Sequence, residues 1–290
     1  MTPLRTIGSF SAALAVVFGA AYGIGAAVGP GSAAAGPSGH GHARSEAAES
    51  VDPTPAGLQV SQGGYTLDLE TRSLTADRPG ILRLTVRDAH GQPVTAYATE
   101  HTKRLHLIVA SRELTAYRHL HPTLAAEGTW STPVDLPAAG SYRVFADFRP
   151  AGAEEGLTLG ADLTVTGRYT ATAPPALSAT TSVDGYTVTL DGGLKAGAES
   201  DLTFTVERGG RPVTALQPYL GAYGHLVALR AGDLAYLHVH PHDEATAGRT
   251  SGPDVSFAAT TPGAGTYRLF LDFEAAGTVH TAAFTVRTPH

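Results

Sequence analysis

The sequence predicts an all-β protein. It reads as two tandem immunoglobulin-like β-sandwich domains behind an N-terminal transmembrane helix or signal sequence. Three observations carry this. The second half repeats the first: "GYTLDLE" from Gly64 pairs with "GYTVTLD" from Gly185, "GQPVTA" from Gly91 with "GRPVTA" from Gly210, and "GSYRVFADF" from Gly140 with "GTYRLFLDF" from Gly265. Each copy alternates apolar and polar residues over short runs broken by Gly, Pro and Asp, the pattern of half-buried strands. About seven such strands in about 110 residues is the size of an immunoglobulin-like sandwich.

The elements follow in chain order. Residues 1–30 contain Arg5 and then an uncharged run of 23 residues, 7–29. A membrane-spanning helix needs about 20 such residues, whereas the apolar part of a signal peptide is usually shorter. The run therefore predicts a single-pass membrane anchor with the rest of the chain extracytoplasmic. The small residues Ala33-Ala34-Ala35 leave signal cleavage and secretion open. Residues 31–56 are Gly, Ala, Ser and Pro with few apolar side chains, a flexible tether. Repeat 1 spans 57–167, a linker 168–180, and repeat 2 181–290. In both repeats a Tyr follows a Gly turn at the start of a late strand. Tyr142 and Tyr267 are thus expected to form tyrosine corners, with the hydroxyl bonded to nearby backbone.

Composition excludes several functions. The chain has no cysteine and its only methionine is the initiator, so thiol catalysis, cysteine-zinc sites and thioether copper ligands are ruled out. The net charge is −6 with no basic cluster, which argues against a nucleic-acid partner. There is no Gly-x-Ser-x-Gly elbow, His-Glu-x-x-His helix or phosphate-binding glycine loop. No enzyme is predicted.

The chemistry concentrates in histidines. "YRHLHP" from Tyr117 and "YLHVHP" from Tyr236 are the same motif 119 residues apart, and His106 and His225 recur at the same offset. Alternate residues on a strand share a face about 6.6 Å apart. His119 therefore projects with His121, and His238 with His240, while Leu120, Leu237 and Val239 face the core. A hairpin turning near "SRELTA" would bring His106 to the first pair. Three imidazoles are then expected to converge in each domain, with Asp147 and Asp272 as a fourth ligand or as acceptors that orient a ring. Neutral imidazoles without sulfur ligands suit Cu(II) first and Zn(II) second. His101 and His242 lack counterparts and rank lower, and His40 and His42 in "GHGH" read as tether residues. A packing role for the same histidines remains open. The chain would then be a structural or partner-binding surface module.

The order of "GxPV", "HLxV", "YxHxHP" and "GxYRxFxDF" behind an Ala/Gly-rich anchor resembles a group of actinobacterial extracytoplasmic β-sandwich proteins. These are described as hypothetical, secreted or heavy-metal-binding. The resemblance implies a membrane-associated metal-handling role, some of it linked to copper. It falls on His106, His119, His121 and Asp147, and on His225, His238, His240 and Asp272. It implies no firm ligand assignment.

Overall fold

The computed structural model describes residues 54–246 and 248–289, except for the side chain of His238. The predicted N-terminal span, nearly all of the tether with His40 and His42, and His290 lie outside the described residues. Within them there is no helix, and so none long and apolar enough to cross a membrane.

Repeat 1 contains β1 (Ser61–Gln62), β2 (Tyr65–Leu69), β3 (Ser73–Thr75), β4 (Gly80–Arg87), β5 (His106–Ser111), β6 (Tyr117–Leu120), β7 (Thr123–Leu124), β8 (Thr129–Val134), β9 (Gly140–Phe148) and β10 (Leu157–Thr166). Repeat 2 contains β11 (Thr180–Val183), β12 (Tyr186–Gly192), β13 (Glu199–Arg208), β14 (Arg211–Pro212), β15 (Leu216–Gln217), β16 (His225–Arg230), β17 (His238–Pro241), β18 (Asp254–Thr260), β19 (Thr266–Ala275) and β20 (Thr278–Arg287). In repeat 1 one sheet has the order β1-β2-β4-β8-β7 and the other β3-β10-β9-β5-β6. In repeat 2 the first sheet runs β11-β12-β13-β18-β17 with β14 beside β13, and in the second β19 pairs with β15, β16 and β20. The arrangement is that of an immunoglobulin-like sandwich.

Alternation explains the packing inside each sandwich. Along β13 the buried Leu202, Phe204 and Val206 alternate with more exposed residues, and they meet Leu226, Ala228 and Leu271 of the facing sheet. Leu82, Leu84 and Trp130 meet Leu107, Val109 and Val144 in the same way in repeat 1. Both expected tyrosine corners form. The Tyr142 hydroxyl donates to the Ala138 carbonyl at 2.9 Å, and Tyr267 donates to that of Gly263.

One strand departs from alternation. All six residues of β5 are buried. Leu107 and Val109 face the repeat 1 core, whereas Ile108 and Ala110 join a third apolar cluster. That cluster is built from both repeats, which pack as one unit. It contains Ile108 and Val227, Ala110 and Leu229, Leu114 and Leu234, Tyr117 and Tyr236, and Phe145 and Phe270. Four of these pairs hold corresponding positions of the two copies, and Leu114 and Leu234 are offset from each other by one residue. The outer faces of the β5–β9 and β16–β19 sheets therefore pack on each other in an approximate two-fold arrangement. Such an interface uses the same patch on both sides. Tyr117 stacks flat on Phe270, with centroids 4.0 Å apart and planes 6° apart, while the counterpart pair Tyr236 and Phe145 is looser at 5.8 Å and 46°.

The looser side holds the end of the tether. The Tyr236 N–H donates to the Ala56 carbonyl, and the Gly57 N–H to the Thr158 carbonyl, both at 2.9 Å. The Arg143 guanidinium donates to the carbonyls of Gly57 and Leu58. This strap is possible because Gly160 has no side chain: a Cβ there would lie 2.1 Å from the Gly57 oxygen. The corresponding residue in repeat 2 is Ala283, which packs against the shared cluster instead.

Gly160→Ala should therefore expel residues 55–58 while leaving both sandwich cores intact. The expected result is new proteolytic cleavage near Gly57 with little change in the main unfolding transition.

Candidate functional site

The interface sets the surroundings of the histidines. His106 opens β5 and is nearly fully buried, and His119 sits opposite Ile108 in the β5–β6 pairing. The predicted hairpin is thus present in repeat 1. β6 ends at Leu120, and His121 is followed by Pro122, a residue that cannot donate to a sheet ladder. One ring nitrogen from each of His106, His119 and His121 lies within 4.8 Å of the others. The centroid distances are 5.4 Å for His106–His119, 5.1 Å for His106–His121 and 4.7 Å for His119–His121.

Repeat 2 contributes to this same place. His225, the counterpart of His106, stacks on it with centroids 5.2 Å apart and planes 6° apart, and its ring lies 4.7 Å from His119. Asp272, paired with His225 in the β16–β19 ladder, bonds His119 Nδ1 at 2.8 Å. Both of these side chains are 3% exposed, so the bond crosses the interface almost out of water. The second Asp272 oxygen accepts from the Thr281 hydroxyl. The expectation that each Asp would serve its own repeat is corrected: Asp272 holds a histidine of the other one.

The trio expected in repeat 2 includes His238, whose side chain lies outside the described residues. Among the described residues a single group converges. The copies differ by a change of sheet. In repeat 1 the strand Tyr117–Leu120 stays paired with β5. In repeat 2, Tyr236 still bridges Leu229 beside it, but His238–Pro241 pairs with β18 of the opposite sheet. His240 lines a cavity of about 230 Å³ together with His101, His106, Asp147 and His225. Asp147 accepts from the Thr158 hydroxyl at 3.2 Å. His242 pairs with Asp201 at 3.3 Å on the surface, away from this cavity.

His101 gains importance from the structure. Its ring is 6.0 Å from His106 and 5.7 Å from His225. No repeat signal pointed to it, because the matching residue of repeat 2 is Leu220. Its nearness to the start of β5 was the only cue.

Burial also sets the charge state. Desolvation, reinforced by the neighbouring imidazoles, lowers His106 to about 4 and His121 to about 3, and it drives His225 well below the usual histidine range. Burial also raises the Asp147 carboxyl to about 6, against the bond from Thr158. His106 and His121 are thus neutral at pH 7, the form in which imidazole binds metals.

Bonding defines the tautomers. The Glu100 carbonyl, 3.1 Å from His106 Nε2, can only accept, so that nitrogen donates. The Asp272 carboxylate likewise requires a proton on His119 Nδ1. The remaining nitrogens, His106 Nδ1 and His119 Nε2, face each other at 3.1 Å. In the neutral rings both carry lone pairs. His121 Nε2 is buried with no hydrogen-bond partner.

Residues 59–166 and 181–290 each match the model of one family, described as Domain of unknown function (DUF8832). No curated protein matches the chain. Among solved structures, the Escherichia coli adhesin FdeC is 16% identical over 79% of this chain and 65% of its own, with a TM-score of 0.26. The Yersinia pseudotuberculosis adhesin InvE is 16% identical over 79% of this chain and 60% of its own, with a TM-score of 0.25. The chain therefore spans less than two thirds of either structure.

Two results are expected of the metal-free protein. Asp272→Ala strands the buried His119 Nδ1–H and should cost about 3 kcal/mol in a denaturant titration. Between pH 6.5 and about 4 the unfolded chain takes up protons that the folded His106 does not. Stability from this residue is complete above pH 6.5 and is lost as the pH falls toward 4. Denaturation midpoints measured across this range should fall accordingly, and the fall should shrink in His106→Gln.

Proposed function

The chain belongs to the DUF8832 family, present in two copies, and on that footing we propose that it is an extracytoplasmic metal-binding protein. Its centre is made by His106, His119 and His121 at the joint between the repeats. The carrying observation is the pair of facing lone pairs on His106 Nδ1 and His119 Nε2. Two acceptors at 3.1 Å repel unless a cation lies between or beside them. Ligand nitrogens 2.0–2.1 Å from a tetrahedral ion are themselves about 3.3 Å apart, so the spacing needs little adjustment. Asp272 acts on His119 as carboxylates do behind metal-bound histidines, fixing ring and tautomer. The donor set is nitrogen without sulfur, which favours Cu(II) at equilibrium and accommodates Zn(II). Buffering, delivery or resistance are the roles such a site serves, and no catalytic role is assigned. The uncharged run 7–29 supports a membrane tether that holds the domains outside the cytoplasm.

A specific observation favours a second reading. A proton can take the place of the ion: a charged His119 would donate Nδ1–H to Asp272 and Nε2–H to His106, which closes the network across the interface. The histidines would then be a joint that fixes the angle between two sandwiches, and the chain a structural or partner-binding surface module.

Calorimetric titration of the full-length chain with Cu(II) and Zn(II) separates the two. The metal reading expects tight binding of about one ion per chain, as for one closed histidine site. That binding should be lost in His121→Ala, which removes a nitrogen with no partner and leaves the Asp272 bond in place. Bound ion should also raise the unfolding midpoint. Binding no tighter in the wild type than in His121→Ala would leave the joint as the function of the cluster.

A further inference from the structure

The turn that precedes β5 carries a histidine that the triad does not use. Glu100 and Lys103 bond each other's backbones at 2.8 and 2.9 Å, and Arg149 Nε donates to the Glu100 carboxylate at 2.9 Å. Between them His101 and Thr102 both adopt left-handed backbone, with φ of 45° and 65°. Two consecutive non-glycine residues are seldom found there, and a β-branched one least of all. Repeat 2 forms the same turn with Leu220 and Gly221 between Tyr219 and Ala222. The two turns meet across the interface: a Cβ on Gly221 would lie 3.8 Å from Thr102 Cγ2. The backbone shape thus belongs to both copies, and the imidazole belongs to repeat 1 alone.

That imidazole is exposed and lines the cavity. It shares the cavity lining with Glu100, Lys103, His240 and the triad's own His106. It is outside the group whose nitrogens converge within 4.8 Å, yet its ring is 6.0 Å from that of His106, a triad member. The Glu100 carbonyl next to it in the chain is the acceptor that fixes His106. One turn therefore bonds a triad ligand through its backbone and carries a second imidazole.

We propose that His101 is the exchange ligand of this centre, taking a divalent ion at its exposed position in the cavity lining and passing it to His106, His119 and His121. The proposal rests on the metal reading. A three-nitrogen site exchanges slowly when every bond to the ion must break before another forms. A donor one ring away lets the ion change partners singly, which speeds entry and release alike without adding to resting affinity. The turn places the donor in the cavity lining and outside the triad.

The test uses the full-length wild type, His101→Asn and His101→Leu. Asparagine tolerates left-handed backbone, and leucine is what repeat 2 carries at this position. Stoichiometry is measured by calorimetry, and release of Zn(II) to an excess of chromophoric chelator by stopped flow. Both variants should bind as many ions as the wild type and release them slower by about tenfold or more. Release within about twofold of wild type overturns the proposal. Loss of an ion overturns it as well, since His101 would then be a resident ligand. A wild type that binds no ion removes the metal reading itself, which separates that failure from the failure of His101.

Discussion

The structure depends on the burial of two outer sheet faces against each other. An immunoglobulin-like sandwich needs only its inner faces covered. Here Ile108, Ala110 and Phe145 of one copy and Val227, Leu229 and Phe270 of the other extend the core across the joint. The face that would ordinarily meet water is dry, and the polar residues at its edge are enclosed with it. Depressed imidazole basicity, a carboxylate bond between the copies and a lined cavity all follow from that one act of burial.

Duplication explains the raw material and its limits. An approximate two-fold arrangement brings corresponding residues face to face, so His106 meets His225 and each Tyr meets the other copy's Phe. A faithful two-fold would give two equal sites. Three departures break the equality. The His238–Pro241 strand joins the opposite sheet, the strap at Ala56 and Gly57 wedges beside Tyr236 and Phe145, and His101 stands where repeat 2 has Leu220. Each is local and leaves both sandwich cores unchanged. The copies have kept their architecture and divided their chemistry.

Asp272 is the residue through which stability and chemistry meet. It is paired in its own ladder with His225, accepts from Thr281, and reaches across to His119. A buried charge is costly unless its partners are complete. Here completeness requires both copies in place, so the docking of the sandwiches and the orientation of His119 are one event. Whether a metal ion or a proton completes the pair of facing nitrogens, the joint is where its effect is felt.

Much of this was legible in the residues. The repeated "YxHxHP" and "GxYRxFxDF" segments announced two copies, and Gly-x-Tyr announced Tyr142 and Tyr267 as corners. Period-two alternation placed Leu120, Leu237 and Val239 inward, because side chains on a strand must alternate between faces. The run "HLIVAS" also carried a signal: an uninterrupted apolar stretch marks a strand buried on both sides. What covered the second side was beyond local pattern, since spacing along a chain holds no information on which surfaces meet. The tertiary structure alone decided that the second cover is the other repeat, that Asp272 serves His119, and that His106, His119 and His121 converge beside His225. Residue identity and strand period determine which side chains share a face. The packing of face on face determines which of them become a site.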